Sequence, residues 1–211
     1  MSEPKNILIK AINEHLLERM HNLGFSFSES QIRFKRKCGN FNQEVWFRGS
    51  KNNWKTEIIE FQYQFVVTHS KYKKLLKELG EKISSSSSIV QGNKEHLKSW
   101  DKSKQLGFGY DFVKMNHKEI MDDIFENLEV AGIPYFEAND TEEKIANDTT
   151  GNEQINFNIY IGNFKKAKEL CEYSFDEFNK LSNSDQERFS YLIDSWNRKY
   201  EYIKGNTDGN K

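Results

Sequence analysis

Residues 31–48, QIRFKRKC-GN-FNQEVWFR, read as one β-hairpin, and that hairpin constrains the fold more than any other stretch. Gly39-Asn40 suits a two-residue turn because glycine reaches positive φ without steric cost. The register then follows: Cys38 faces Phe41, Arg36 faces Gln43, Lys35 faces Glu44, Phe34 faces Val45, Arg33 faces Trp46 and Ile32 faces Phe47. Side chains alternate across a strand, so Ile32, Phe34, Val45 and Phe47 share a face that belongs in a core. Arg33, Lys35, Lys37, Glu44 and Trp46 lie on the other, a basic and aromatic stripe directed outward.

Around the hairpin the pattern alternates between periods. Ile9, Ile12, Leu16, Met20 and Leu23 recur at helical spacing, predicting a helix over 5–23 that Gly24 ends as a left-handed cap. Phe25 and Phe27 lead into the hairpin, and a long central strand is expected over 55–68, where Ile59, Phe61, Tyr63, Phe65 and Val67 alternate. A basic helix over 70–82 and a loop opened by Ser84–Ser88 follow. The alternation of Leu106, Phe108, Tyr110 and Phe112 predicts a further strand, with Gly107 and Gly109 where a backbone approaches or a bulge sits. Beyond it the chain turns helical. Asn116 with Glu119 forms a capping box for a helix ending near Gly132, and Ile133-Pro134-Tyr135-Phe136 reads as an extended break. Asp140 with Glu143 marks a short helix; residues 154–161 and 164–180 pair as helices turned at Gly162-Asn163; Ser184 with Glu187 caps the last one.

Strands first and helices afterward argue for an α+β fold: an antiparallel sheet of four to five strands packed with an N-terminal helix and a C-terminal helical segment. The expected organisation is one domain over 1–204, β-rich over 1–113 and helical over 116–204, with a disordered tail over 205–211. Hydrophobic residues are only 36%, yet sixteen Phe, nine Tyr and four Trp supply enough buried area for a core. No apolar run is long enough to cross a bilayer, the first residues lack the pattern of a signal peptide, and Cys38 and Cys171 make no CxxC spacing. The expectation is a cytoplasmic protein without a membrane partner.

Net charge is −1, but residues 1–110 hold 19 basic and 11 acidic residues while 111–211 hold 12 and 21. Such a basic half suggests either an acidic partner or a nucleic-acid backbone, against the plainer reading of two solvated regions. No phosphate loop, dinucleotide fingerprint or nucleophile elbow is present, and His15, His21, His69, His96 and His117 sit in no ligand spacing. Asp122-Asp123 reads as a solvated helix face. Glu57 and Glu60 suggest a nuclease-type metal site, but Glu60-Phe61-Gln62 lacks the lysine of an E-x-K strand, so they read as a solvated strand face. Cys38 falls on the core face and reads as a buried thiol. No catalytic residue, metal ligand or cofactor is expected.

The outward stripe remains as a candidate binding surface. Arg33 opposite Trp46 suits a cation–π contact and Lys35 opposite Glu44 a cross-strand ion pair, so internal satisfaction competes with partner binding.

Leu23-Gly24-Phe25, Phe34-Lys35-Arg36, Val45 to Gly49, Phe61-Gln62, Ile133-Pro134-Tyr135-Phe136 and Gly162-Asn163-Phe164-Lys165-Lys166-Ala167 together resemble the pattern of an uncharacterised bacterial domain family. The resemblance implies an N-terminal helix, antiparallel strands and a C-terminal helical hairpin. It brings no activity and no catalytic residues. The expected function is a non-catalytic protein-binding module, with toxin neutralisation or defence as a setting. The alternatives are a nucleic-acid-binding protein using the basic first half and an enzyme with a dispersed active site.

Overall fold

The computed structural model describes residues 3–82, 89–91 and 109–208. The fold is α+β, and its contacts divide the chain into two compact units, 1–68 with 91–140 and 69–90 with 141–211. The expected loop at Ser84–Ser88 and the strand start at Leu106–Phe108 lie outside the described residues.

In the first unit, β1 (Ser26–Ser28), β2 (Arg33–Cys38), β3 (Phe41–Gly49) and β4 (Glu60–Thr68) pair in succession, all antiparallel. A short strand, β5 (Ile89–Gln91), comes next in the chain, and β6 (Tyr110–Asp111) pairs antiparallel with β4. The β2–β3 register is the one the Gly39-Asn40 turn dictates, from Cys38↔Phe41 to Arg33↔Trp46. Gly39 takes φ +55°, the left-handed value that a tight hairpin turn needs. Ile32 differs from expectation. It sits just outside β2 at φ +45°, an uncommon conformation for a β-branched residue, with its carbonyl accepting the Phe47 N–H at 3.1 Å.

β4 starts later than alternation alone predicts. Residues 50–59 fold into a tip in which Trp54 and Ile58 exchange backbone bonds of 3.0 and 3.3 Å. The Asn53 side chain accepts from the Glu60 N–H at 2.7 Å and donates to the Glu60 carbonyl at 3.0 Å, beside the backbone bond from the Ser50 N–H to that carbonyl at 3.0 Å. At the other edge, a Cβ on Gly109 would lie 2.1 Å from the Phe61 carbonyl oxygen, so the glycine is where two backbones meet.

The core of this unit is aromatic. Phe34, Phe47, Tyr63, Phe65, Phe136 and Phe25 form a chain of ring contacts with centroids 5.3–6.5 Å apart. The expected first helix is two, α1 (Glu3–His15) and α2 (Leu17–Asn22), nearly continuous through Leu16 and closed by Gly24 at φ +81°. Leu8, Ile12, Leu16 and Met20 are buried. Asn116 Oδ1 accepts from the Lys118 and Glu119 N–H groups and starts α4 (His117–Asn127), which packs on α1.

Residues 133–136 are not extended. The chain widens into a π-helical turn over Leu128–Gly132, with the Ile133 N–H reaching back to the Leu128 carbonyl, and continues as α5 (Ile133–Ala138). Pro134 sits in the first turn of α5, where its fixed φ fits the helix and the widened turn ahead of it accommodates the ring. Gly132 serves packing here instead of ending a helix: a Cβ would come within 2.9 Å of the Phe65 ring.

The second unit is helical: α3 (Ser70–Glu78), α6 (Glu142–Asp148), α7 (Gly151–Tyr160), α8 (Phe164–Asn179) and α9 (Asn183–Asp208). Leu75, Leu79, Ile155, Ile159, Cys171 and Trp196 anchor its core. Gly162 at φ +76° turns α7 into α8, as the sequence predicts. Two caps sit elsewhere. Thr141 caps α6 by accepting the Lys144 N–H, and the Ser182 hydroxyl, not that of Ser184, accepts the Asp185 N–H. α9 runs past Gly205 to Asp208.

Candidate functional site

The outward stripe closes on itself. Glu44, near the middle of β3, is only 2% exposed. Its Oε2 accepts from Arg33 Nη1 at 2.8 Å and Trp46 Nε1 at 2.7 Å, and its Oε1 accepts from the Thr68 hydroxyl at 2.6 Å. The cation comes from Arg33, diagonal to Glu44, and not from Lys35 directly opposite, because the guanidinium reaches the carboxylate while staying against the Trp46 ring (5.8 Å to its centroid). A buried carboxylate with three donors is a satisfied structural group. Lys35 is half-buried and Lys37 exposed at the turn end of β2. Of the five stripe residues, three therefore form one internal network and two flank it.

The β3–β4 tip presents what the stripe does not. Trp54 is 53% exposed and Ile58 43%, held side by side by their bridge. Lys55 stands over the Trp54 ring at 4.5 Å, in a left-handed turn at φ +47°. Beside them lies a cleft of about 480 Å³ lined by Lys5, Ser50, Asn53, Trp54, Lys55 and Phe61 among others. Exposed tryptophan next to a cleft is the chemistry of an interface anchor. Sequence periodicity passes over it, since tip residues share no face with a strand. The available signal was a lone Trp in the polar run SKNNWK.

Several ionisable groups act structurally. Asp122 pairs with Arg19 and Lys118, each at 2.6 Å, and Asp123 accepts the Tyr110 hydroxyl, so this pair ties α4 to α2 and β6 and is no free solvated face. In the second unit, Lys199 is fully buried, 2.8 Å from Glu81 Oε1, and donates to Ser195 Oγ at 3.0 Å and to Asn152 Oδ1. Ser195 donates in turn to Glu81 at 2.8 Å. Burial pushes the Glu81 carboxyl up, but the hydrogen bond and charge of Lys199, with Ser195 and Arg198, hold it below the usual range. Ser195 is 6% exposed, so the serine–lysine pair clamps α9 to the end of α3 and the start of α7 and presents no nucleophile.

Cys171 is wholly buried, its thiol pushed up to about 11 by burial, while Cys38 is half-buried. Among the described residues no three His, Cys, Asp or Glu side chains converge as metal ligands, and no helix is long and apolar enough to cross a membrane.

Charge redistributes on folding. The first unit carries 16 basic and 17 acidic residues and the second 15 and 15, because acidic residues 111–140 join the basic N-terminal segment while basic residues 71–82 join the acidic C-terminal one. The segregation runs along the chain and does not survive within the units. Compared with family models, curated proteins and solved structures, the chain matches none.

Proposed function

We propose that this protein is a non-catalytic binding module that captures a partner protein with the β3–β4 tip, Trp54 as the anchor and Ile58 and Lys55 as its flanks. The observation that carries the reading is the Trp54–Ile58 pair, held rigidly by backbone bonds yet about half exposed beside a cleft. A rigid aromatic loses little entropy on docking, which is why tryptophan dominates binding hot spots. A protein partner fits better than a nucleic acid. The tip mixes Lys51 and Lys55 with Glu57, and neither unit carries the excess of positive charge that phosphate binding uses.

The test is to isolate the partner by affinity capture and measure its dissociation constant for the wild type, Trp54→Ala, Lys35→Ala and Lys37→Ala. Trp54→Ala is expected to weaken binding by about 2 kcal/mol or more, roughly thirtyfold, with unfolding midpoint unchanged. Full affinity in Trp54→Ala overturns the tip assignment, and loss in Lys35→Ala and Lys37→Ala would return the site to the stripe.

A further inference from the structure

The cleft beside the β3–β4 tip limits what kind of segment can enter it. Glu3, Pro4 and Lys5 line it from α1, and Asn53, Trp54 and Lys55 from the tip. Pro4 and Phe61 are buried, so the apolar surface open to a ligand is the Trp54 ring. Among the described residues the Trp54 indole N–H has no acceptor. The tip backbone, by contrast, is occupied. The Ser50 and Asn53 N–H groups donate to the Glu60 and Ser50 carbonyls, the Trp54 N–H to the Ile58 carbonyl, and the Glu57 and Ile58 N–H groups to the Trp54 carbonyl, all at 3.0–3.3 Å. An added strand needs a row of free backbone groups, and these bonds leave no continuous row. An amphipathic helix needs apolar anchors repeated over two turns, where this cleft exposes one ring. A polyproline II segment needs neither. Its carbonyls have no partners within the chain, and its proline rings pack on aromatic faces. Trp54 offers a ring and a donor in one side chain.

Charge sets the flank of that segment. Lys5 and Lys55 outnumber Glu3 in the cleft, and the Lys5 ammonium is already drawn to the Ser30 carbonyl at 2.9 Å. Lys55 has no carboxylate partner among the described residues, and its Nζ stands 4.5 Å from the centre of the indole. A carboxylate arriving there gains a charge-assisted hydrogen bond beside the ring. Resting on the tip as the capture site, we infer that the cleft binds a polyproline II segment of the partner flanked by an acidic residue. A proline packs on the Trp54 ring, a backbone carbonyl accepts the indole N–H, and the carboxylate pairs with Lys55.

The experiment titrates the ¹⁵N-labelled full chain with acetylated, amidated Pro-Pro-Pro-Pro-Glu, Pro-Pro-Pro-Pro-Arg and Gly-Ser-Gly-Ser-Glu. The first is expected to shift the Trp54 indole N–H signal. The glycine–serine peptide should bind at least about tenfold more weakly, because it must be ordered on docking. The arginine peptide should bind about threefold more weakly than the glutamate one, the scale of an exposed ion pair, and Lys55→Gln should erase that difference. Trp54→Phe keeps a ring without the donor and should lose about fivefold. An unmoved Trp54 signal, or equal affinity for the proline and glycine–serine peptides, would overturn the inference. Equal affinity for the two proline peptides would overturn the role of Lys55. A captured partner that needs Trp54 but is not displaced by the proline peptide sinks this occupant and leaves the tip standing. Peptide binding at Trp54 with full partner affinity in Trp54→Ala sinks the tip as the capture site instead.

Discussion

Glu44 is a polar hub of the first unit's sheet. Its carboxylate gathers Arg33, Trp46 and Thr68, which come from three successive strands, so one side chain locks the lateral order β2–β3–β4. Replacing Glu44 by Ala leaves an indole N–H and a hydroxyl without acceptors and strips a partner from a guanidinium three-quarters buried. Breaking such a buried pair from one side costs about 3 kcal/mol or more. Urea unfolding should therefore show a lowered midpoint with an unchanged slope, whereas Thr68→Val should cost only about 1 kcal/mol. The candidate stripe was legible in the sequence as a set of residues on one face. That Arg33 and not Lys35 meets Glu44, and that Thr68 completes the group, was not, because a diagonal reach and a partner 24 residues away lie outside pair spacing.

At the scale of elements, helix starts show where local chemistry is decisive and where it competes. Asn116 was readable because its side chain and the following N–H groups are neighbours in sequence. His69 was not, although its Nδ1 accepts the Lys71 N–H at 3.1 Å and caps α3. Its ring also meets the Tyr160 hydroxyl at 2.9 Å, a contact from a distant helix that orients the cap. Burial, helped by the charge of Lys71, pushes this imidazole below its ordinary 6.5. The folded state thus prefers neutral His69, and the cap's stabilisation is complete above pH 6.5 and is lost as pH falls through the lower folded value. Hydrogen exchange at the Lys71 amide should accelerate beyond its intrinsic pH dependence in that window. His69→Asn, which caps without titrating, should remove the effect. The π-helical turn ahead of Pro134 makes the same point in reverse: proline forbids a bond but not a helix when the preceding turn widens.

For the whole molecule, folding cancels the charge asymmetry that made the N-terminal half look like a nucleic-acid binder. With each unit near neutrality, a random-sequence DNA duplex should show no steep loss of affinity between about 50 and 200 mM salt, since few counterions would be released. Fluorescence anisotropy at low salt checks this; tight, salt-sensitive binding would restore the nucleic-acid reading. The sequence by itself determined the α+β class, the hairpin and its register, the Gly24 and Gly162 turns and most helices. These rest on periodicity and turn chemistry, which act over a few residues. Only the tertiary structure decided that Glu44 is buried and satisfied, that Trp54 stands out at the tip and that charge balances within each unit. Those outcomes depend on which distant segments meet, and burial, desolvation and net field are properties of that meeting.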